Sequence, residues 1–194
     1  LLDLFKDGGE SKVESKAESK EEQGGEAAEI IYALTENAST RRLQPTDYFI
    51  KKCIGIYEML RVRHGLMLVG LPFGGKTESY RVLAAALSDM SRKEGQGGEM
   101  AKVTQTVVIN PKSVTLGQLY GSFDPESHEW TDGIVAKTFR NMEQDTMQNK
   151  TNGSILADTF GQNKWLVLDG PVDAEWIENM NTVLDDNKML MLMN

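Results

Sequence analysis

Apolar residues recur at helical spacing in several stretches of the chain. Between residues 45 and 63, Phe49, Cys53, Ile56 and Leu60 share one helical face and charged residues occupy another, which predicts an amphipathic helix. We interpret Cys53, like its apolar neighbours, as a core residue. Helices are also predicted over Glu78–Met90, where the same period is well marked, and over Ile134–Met147 and Val172–Leu184.

Short apolar runs of strand length separate these helices. Such runs are typical of strands that are buried on both faces of a parallel sheet. Between Leu116 and Ile134, glycines and Asp-Pro and Asp-Gly pairs interrupt short apolar stretches, which predicts an insertion carrying a β-hairpin. Polar loops are expected over residues 91–101 and up to Asn163. The predicted strands are Leu66–Val69, Val103–Ile109 and Trp165–Leu168.

The alternation of strands and helices predicts an α/β domain, with a parallel sheet and helices on both of its faces. We assign residues 30–194 to this domain and expect its C-terminal end to be truncated, since residues 189–194 still read as an extended apolar run. The first residue is not methionine, so both ends are expected to be cut from a longer protein. Residues 1–29 form a separate N-terminal segment in this interpretation.

The N-terminal segment has a regular charge pattern from Lys6 to Glu29. Glutamates recur every four residues from Glu10 to Glu22, and lysines recur every four residues from Lys12 to Lys20. On a helix this pattern would stack like charges and leave opposite charges two residues apart, where they do not face each other. We therefore predict a solvated, disordered insert with order beginning near Ala27, and keep a single charged helix as the alternative.

Composition excludes several classes of function. The net charge of −8 is opposite in sign to that of a nucleic-acid-binding surface, and no stretch is long and apolar enough to span a bilayer. The single cysteine rules out an internal disulfide, and two histidines with one cysteine leave little for a transition-metal site. We therefore expect neither a nucleic-acid partner nor a membrane partner.

The strongest chemical signal is the run Gly70-Leu71-Pro72-Phe73-Gly74-Gly75-Lys76-Thr77, which matches the phosphate-binding pattern G-x-x-x-x-G-K-[ST] in full. Glycines let backbone N–H groups point at phosphate oxygens, and the N-terminus of the following helix adds partial positive charge. Lys76 is expected to reach the β- and γ-phosphates, and the Thr77 hydroxyl to bind Mg²⁺. The motif falls between a predicted strand and a predicted helix, where its mechanism requires it. It predicts a P-loop NTPase fold that binds ATP or ADP with Mg²⁺.

Asp169, at the end of the third predicted strand, is the expected acid on the magnesium side, acting directly or through water. The alternative is that Asp169 merely opens a turn. Many ATPases of this architecture place glutamate next, whereas this chain has Gly170. Asp173 and Glu175 lie nearby at the start of the next helix. The sequence therefore predicts binding more firmly than hydrolysis. The complete predicted nucleotide set is residues 70–77 of the motif, Glu78 and Asp169.

Several longer segments resemble dynein heavy chains, and the likeness covers most of residues 30–194. Within those heavy chains, the segments resemble the second of the six AAA+ modules that form the motor ring. The Gly-Gly-Lys-Thr form of the phosphate loop is similar to that of axonemal inner-arm members. The insert at Lys6–Glu29 departs from the family pattern. The segments carrying the resemblance are Val62–Gly70, Asn110–Thr115, Leu119–Gly121, His128–Gly133, Asp169–Asp173 and Trp176–Lys188.

The resemblance implies a AAA+ large subdomain within a minus-end-directed microtubule motor that drives ciliary movement. Such a motor hydrolyses ATP chiefly at its first module and contacts microtubules through a distant stalk. The second module resembles a largely structural site that holds nucleotide. The implied partners are the neighbouring AAA+ modules, microtubules, and intermediate and light chains bound to other regions. The implied location is cytoplasmic and cytoskeletal, in the axoneme of a cilium or flagellum.

By position, the resemblance carries the phosphate loop onto Gly70, Gly75, Lys76 and Thr77, and the magnesium-side acid onto Asp169. Sensor residues, the helical lid and a neighbouring arginine lie outside this chain. Two alternatives stay open for the module, an active ATPase that uses Asp173 or Glu175 as its base and a purely structural ring segment. A nucleotide kinase is disfavoured, because no segment for binding a phosphate acceptor is apparent.

Overall fold

The computed structural model describes residues 10–93, 101–151 and 162–181, with side chains from residue 25 onward and, in the second range, up to residue 144. Two 3-10 turns follow strands or helices at Pro111–Ser113 and Glu178–Met180. None of the helices in these ranges is long and apolar enough to cross a membrane. The helices are α1 (Glu10–Thr40), α2 (Asp47–Val62), α3 (Lys76–Arg92), α4 (Leu116–Tyr120), α5 (Ile134–Thr151) and α6 (Ala174–Ile177), and the strands are β1 (Val103–Ile109), β2 (Gly121–Phe123), β3 (Trp130–Asp132) and β4 (Gln162–Leu168).

The centre of the fold is a parallel pair of strands, β1 and β4. Their register runs from Val103 opposite Gln162 to Ile109 opposite Leu168. Because side chains alternate between the faces of a strand, neighbouring residues of β4 serve different cores. Trp165 packs on one side, whereas Leu166 packs on the other. The predicted parallel sheet with helices on both faces is therefore present.

The larger core lies between α1, α2 and α3. Its fully buried members include Leu34, Cys53, Leu83 and Leu87, one or two from each helix. Helix α2 begins where the Thr46 side chain accepts a hydrogen bond from the Phe49 N–H, an N-cap that satisfies a donor the helix leaves unpaired. The apolar spacing that predicted α2 and α3 therefore marks the faces that this core buries.

The smaller core lies on the other face of the sheet, where Ile109, Leu119, Val135 and Trp176 are buried together. These residues come from β1, α4, α5 and α6, so elements far apart in sequence close over one end of the strands. The predicted hairpin insertion is confirmed as the antiparallel pair of β2 and β3, which follows α4 directly. Gly121, with φ of 126°, turns the chain from α4 into this hairpin.

The structure contradicts one predicted strand and leaves other predictions untested. Leu66–Val69 pairs with neither β1 nor β4, and Met67 and Val69 are 60% and 84% exposed. A buried strand needs a neighbour along its edge, and none of the described residues supplies one for this run. The predicted loop residues 94–100 and 152–161 lie outside the described residues, as does the part of the predicted helix Val172–Leu184 beyond residue 181. Within the described residues that helix is shorter than predicted, because α6 covers only Ala174–Ile177 and is followed by the 3-10 turn Glu178–Met180.

The N-terminal segment also differs from the prediction, because α1 is one helix from Glu10 onward. Its packed part contains Ile30, Ala33, Leu34 and Ala38, spaced as one helical face toward the larger core. Once packing fixes those turns, extending the helix costs little, and Glu, Lys and Ala are good helix formers. This outweighs the unfavourable spacing of like charges. The alternative of a charged helix is the one that the structure shows.

Glu26 is an anchor that the sequence assigned to the insert. The buried Tyr57 hydroxyl on α2 donates a hydrogen bond to Glu26 Oε1 at 2.5 Å, and Arg61 approaches the other carboxylate oxygen at 4.0 Å. Two consecutive glycines, Gly24 and Gly25, precede it, and nothing lies within 4 Å of where a Gly25 side chain would start. The helix is thus tied to the core from Glu26 onward.

We expect deletion of residues 6–23 to leave the free energy of unfolding almost unchanged. Glu26→Ala is expected to lower it by about 1–3 kcal/mol, because the buried Tyr57 hydroxyl loses its acceptor. Urea unfolding of the chain measures both changes. Glu36→Ala, an exposed position on the same helix, is the matched control. A large loss on deleting residues 6–23, or none for Glu26→Ala, would contradict this division of the segment.

Candidate functional site

The motif Gly70–Thr77 forms a loop that leads directly into α3. The Gly74 N–H donates to the Leu71 carbonyl oxygen at 3.1 Å, which closes a turn with Pro72 and Phe73 at its centre. Proline suits the first central position, but Phe73 holds φ of 61° at the second, where glycine is favoured. Its ring is fully exposed, so the strain is not offset by packing. Strained backbone of this kind clusters at ligand-binding sites.

The two adjacent glycines of the motif are needed for different reasons. A Cβ atom on Gly74 would lie 3.0 Å from the Leu71 carbonyl oxygen, which is too close for an ordinary contact. Gly75 adopts φ of 78°, a left-handed conformation, and is the residue from which α3 starts. The loop therefore delivers the chain into the helix with the first N–H groups of α3 unpaired within the helix.

Lys76 folds back over the loop. Its ammonium group donates to the carbonyl oxygens of Gly70 at 2.7 Å and Leu71 at 2.8 Å. Both acceptors belong to the motif, so the positive charge lies at the mouth of the loop, where the motif places phosphate. Thr77 is half-buried in the first turn of α3. A triphosphate that binds here exchanges two neutral carbonyl acceptors of Lys76 for charged phosphate oxygens, which form stronger hydrogen bonds.

Helix α2 packs against the end of the loop and the first turn of α3. A Cβ atom on Gly75 would lie 3.8 Å from the Phe49 ring, and the Cys53 thiol donates to the Ser79 carbonyl oxygen at 3.6 Å. Burial raises the pKa of the Cys53 thiol to about 11, so it stays protonated at neutral pH. Phe49 and Cys53 thus support the first turn of α3 through packing, which agrees with the prediction that Cys53 is a core residue.

Glu78 follows Thr77, and its carboxylate pairs with two arginines. Arg41, just after α1, donates to it at 3.0 Å, and Arg81 at 3.2 Å. Burial raises the pKa of Glu78, but the hydrogen bonds and charges of Arg41 and then Arg81 outweigh it and hold this pKa below its usual value. The carboxylate is therefore engaged by guanidinium groups. Its predicted nucleotide contact stays a prediction, carried by its backbone N–H in the first turn.

From the lengths of α3 and β1 we infer that the loop and Asp169 lie at the same edge of the sheet. The chain reverses between α3 and β1, and the Thr104 N–H donates to the Ser88 hydroxyl at 2.9 Å, which fixes α3 against the start of β1. From Ser88 back to Lys76 the helix spans roughly 18 Å, and from Thr104 forward to Ile109 the strand spans roughly 17 Å. Lys76 is therefore level with the carboxyl end of β1, beside which β4 delivers Asp169.

Asp169 leaves the sheet with its backbone still held by β1. Its N–H donates to the Ile109 carbonyl oxygen at 2.9 Å, and its side chain is exposed. A Cβ atom on the next residue, Gly170, would lie 3.0 Å from Asn110 Oδ1 and 3.2 Å from Pro111 Cδ. The turn after β1 therefore leaves little room for a side chain at position 170 unless Asn110 shifts.

The two carboxylates that the sequence offered as alternative bases are both paired. Lys112, in the turn after β1, contacts Asp173 and lies 3.5 Å from Glu175. The Asp173 carboxylate also accepts from the Glu175 N–H at 3.0 Å and so caps α6. The Lys112 hydrogen bond, followed by that N–H, lowers the pKa of Asp173. A carboxylate that binds its proton less readily is a poorer general base near neutral pH.

Comparison with known proteins decides the family. A family model described as the hydrolytic ATP binding site of the dynein motor region matches residues 16–77. Dynein axonemal heavy chain 3 of mouse is 52% identical over 165 residues, which is 85% of this chain and 4% of the relative. For rat dynein axonemal heavy chain 12 the values are 50%, 86% and 5%, and for human dynein axonemal heavy chain 1 they are 48%, 82% and 3%.

The chain belongs to the axonemal dynein heavy chain family. The resemblance predicted from the residues is thereby confirmed at the level of the family and of the P-loop AAA+ fold. The chain spans about one twentieth of the relatives' length, so it corresponds to a small part of a heavy chain. The matched model begins within α1 and ends at Thr77, which includes the phosphate loop and excludes Asp169 and Gly170.

The oxygen ligands of this dynein segment fit magnesium better than a softer metal. Thr77 offers a hydroxyl and Asp169 a carboxylate, and Mg²⁺ in nucleotide sites takes one or two such ligands together with phosphate oxygens and water. Over residues 10–93, 101–151 and 162–181 no group of three or more His, Cys, Asp or Glu side chains could hold a metal ion. A magnesium ion bound by these two side chains would take its other ligands from phosphate and water.

Two contacts of the dynein site were missed from the sequence. Arg41 on Glu78 joins residues 37 positions apart, and no local pattern announces it. Lys112 could have been found, because Asn110-Pro111-Lys112 follows β1 as Asp169-Gly170-Pro171 follows β4. The carboxyl ends of adjacent parallel strands meet at one edge, which is where ligands bind in α/β sheets. Residues in both turns are therefore candidates for the site.

Proposed function

We propose that this segment is the second AAA+ module of the motor ring, and that it binds Mg-ATP or Mg-ADP. The observation that carries the proposal is the motif Gly70–Thr77, with the Lys76 ammonium at its mouth and α3 starting beneath it. Thr77 and Asp169 hold the magnesium side, and the residues of the module form its large subdomain. Their placement at one edge of the sheet supports this assignment, because both must reach the same phosphates.

The module holds nucleotide with little hydrolysis. General-base help has to come from a group within hydrogen-bond reach of the attacking water. Gly170 has no side chain, and a Cβ atom there would lie 3.0 Å from Asn110 Oδ1 and 3.2 Å from Pro111 Cδ. Asp173 and Glu175 are bound by Lys112. Binding needs only the phosphate loop, magnesium and Asp169, so occupancy is retained without turnover.

In the whole heavy chain, this module serves a minus-end-directed microtubule motor that moves cilia or flagella. Its direct partners are the neighbouring AAA+ modules. Microtubules bind through a distant stalk, and intermediate and light chains bind other regions of the protein. The location is the axoneme, in keeping with the relatives that are named axonemal heavy chains.

A hydrolytic module is the second candidate. The observation in its favour is the family model over residues 16–77, whose description is a hydrolytic ATP binding site. That match ends at Thr77, before the residues that distinguish hydrolysis from binding. A ring segment whose pocket is empty or permanently filled is the third candidate, and it predicts no exchangeable nucleotide at this site.

One experiment separates the three candidates. In the complete heavy chain, the phosphate loops of all other modules are disabled, and bound ATP and released phosphate are measured in the same sample. A holding module binds about one exchangeable ATP per chain and releases phosphate slowly. Rapid release identifies a hydrolytic module, and no exchangeable ATP identifies a structural segment. Either result would overturn the proposal.

A further inference from the structure

The loop that carries Asp169 joins β4 to α6. At the strand end, the Asp169 N–H donates to the Ile109 carbonyl oxygen at 2.9 Å, and Gly170 packs against Asn110 and Pro111. At the helix end, the carbonyl oxygen of Pro171 accepts from the Trp176 indole N–H at 3.0 Å, and that of Asp173 accepts from the Ile177 N–H at 3.2 Å. A contact that ties this far end to the turn after β1 therefore bears on how firmly the Asp169 carboxylate is placed.

Lys112 ties that far end to the turn after β1. Its ammonium group contacts the Asp173 carboxylate and reaches Glu175 Oε2 at 3.5 Å, so it bridges the last residue of the loop and the first turn of α6. Lys112 is itself positioned, because its N–H donates to the Asn110 side chain at 3.0 Å in the 3-10 turn after β1. The turn after β1 therefore contacts the loop after β4 twice, at Gly170 near its start and at Asp173 at its end.

We propose that Lys112 is a positioning residue for magnesium-bound nucleotide. By holding Asp173 and Glu175, Lys112 acts together with the Trp176 hydrogen bond to Pro171 to fix the loop from residue 169 to residue 173, and so keeps the Asp169 carboxylate directed at the magnesium ion. This inference rests on the proposed function, since it assigns a further residue to the same site. Lys112 touches neither nucleotide nor metal and acts through Asp169.

The increase in ATP affinity that magnesium causes is the quantity that tests this role of Lys112. ATP affinity is measured with magnesium and with EDTA in the complete heavy chain whose other phosphate loops are disabled. The ratio of the two affinities reports the two assigned magnesium ligands, Thr77 and Asp169, whereas the affinity in EDTA reports the contacts of Lys76 and the loop backbone with phosphate. Damage to the fold lowers both affinities, and loss of positioning lowers the ratio.

Two variants break the contact from opposite sides. Lys112→Met removes one positive charge, and the double variant Asp173→Asn with Glu175→Gln removes two negative charges. Asparagine is as good a helix N-cap as aspartate, so α6 is retained. If only net charge mattered, the two variants would shift ATP affinity in opposite directions, because phosphate is repelled by one change and attracted by the other. A positioning role predicts that both variants lower the magnesium ratio.

The expected fall is about three- to tenfold, less than the 10- to 100-fold typical of groups that hold a metal ligand directly. Lys112→Arg keeps the positive charge and should retain most of the wild-type ratio of ATP affinity with magnesium to ATP affinity in EDTA. Lys137 is an exposed lysine in α5, and Lys137→Met should leave this ratio unchanged. Opposite shifts in the two variants, or an unchanged ratio in both, would overturn the proposal. If Lys76→Ala still abolishes binding in that case, the proposed function stands and only the role of Lys112 is lost.

Discussion

Replacing Lys76 with alanine is expected to weaken ATP binding by about ten- to a hundredfold, as the loss of one charged hydrogen-bonding partner worth about 1.5–3 kcal/mol implies. The Lys76 ammonium group already lies at the mouth of the loop, on the Gly70 and Leu71 carbonyl oxygens. Both carbonyls are exposed and return to water when the lysine is removed. The variant is therefore expected to fold normally, and its loss belongs to binding.

The measurement is calorimetric titration of ATP with magnesium, with circular dichroism confirming that the variant is folded. Lys102→Ala is a suitable control, because Lys102 precedes β1 at the end of the strand remote from the loop. Thr77→Ala should lose affinity only when magnesium is present, since its hydroxyl is assigned to the metal. Equal affinities for wild type and Lys76→Ala would remove Lys76 from the site and with it the phosphate-binding interpretation of the motif.

The same local logic explains which parts of the fold the sequence predicted. The bounds of α2 and α3 were predicted to within two residues, because each presents an apolar face that the larger core buries. The bounds of β1 were predicted to the residue, since an apolar run that ends at Asn110-Pro111 marks them. The packed part of α1 was missed, although Ile30, Ala33, Leu34 and Ala38 have helical spacing. Two of these four residues are alanines, whose small side chains give a weak apolar signal beside a long charged segment.

The remaining differences arise from contacts between distant parts of the chain. The apolar residues of Leu66–Val69 favour burial, but a strand also needs a neighbouring strand to pair with. In this structure β1 and β4 pair with each other and not with Leu66–Val69. The pairing of Lys112 with Glu175 joins residues 63 positions apart, and the approach of Asn110 to Gly170 is of the same kind. Local patterns therefore predicted α2, α3 and β1 well, whereas the pairing of Asp173 and Glu175 with Lys112 required the structure.

Hydrolysis at this site is expected to be about 10²- to 10⁴-fold slower than at a comparable site with a positioned general base. The reason is structural as well as chemical. Gly170 lacks a carboxylate, and the two carboxylates nearby are bound to Lys112, with the pKa of Asp173 held low by that hydrogen bond and by the Glu175 N–H. Occupancy is expected to survive, because neither feature touches the phosphate loop.

The rate is measured by single-turnover phosphate release in the complete ring. One ring keeps only this site, and a second ring keeps only the site of the first module, which supplies the internal comparison. Slow release from the first ring with a full complement of bound ATP is the expected result. Release at similar rates from the two rings would contradict it, and would direct attention to Asp173 and Glu175 as bases that leave Lys112 when nucleotide binds.

Restoring a base tests the cause. Gly170→Glu alone has to displace Asn110, whose side-chain oxygen would lie 3.0 Å from the new Cβ atom. The exchange is therefore made together with Asn110→Ala, which removes that oxygen, and is compared with Gly170→Gln in the same background. Glutamine has nearly the same size as glutamate but no carboxylate, so the two variants differ only in whether a general base is present.

With the neighbouring arginine in place, faster phosphate release from the glutamate variant than from the glutamine variant identifies the absent carboxylate as the reason this site is silent. Equal rates in the two variants, with ATP bound in both, would show that another step holds hydrolysis back.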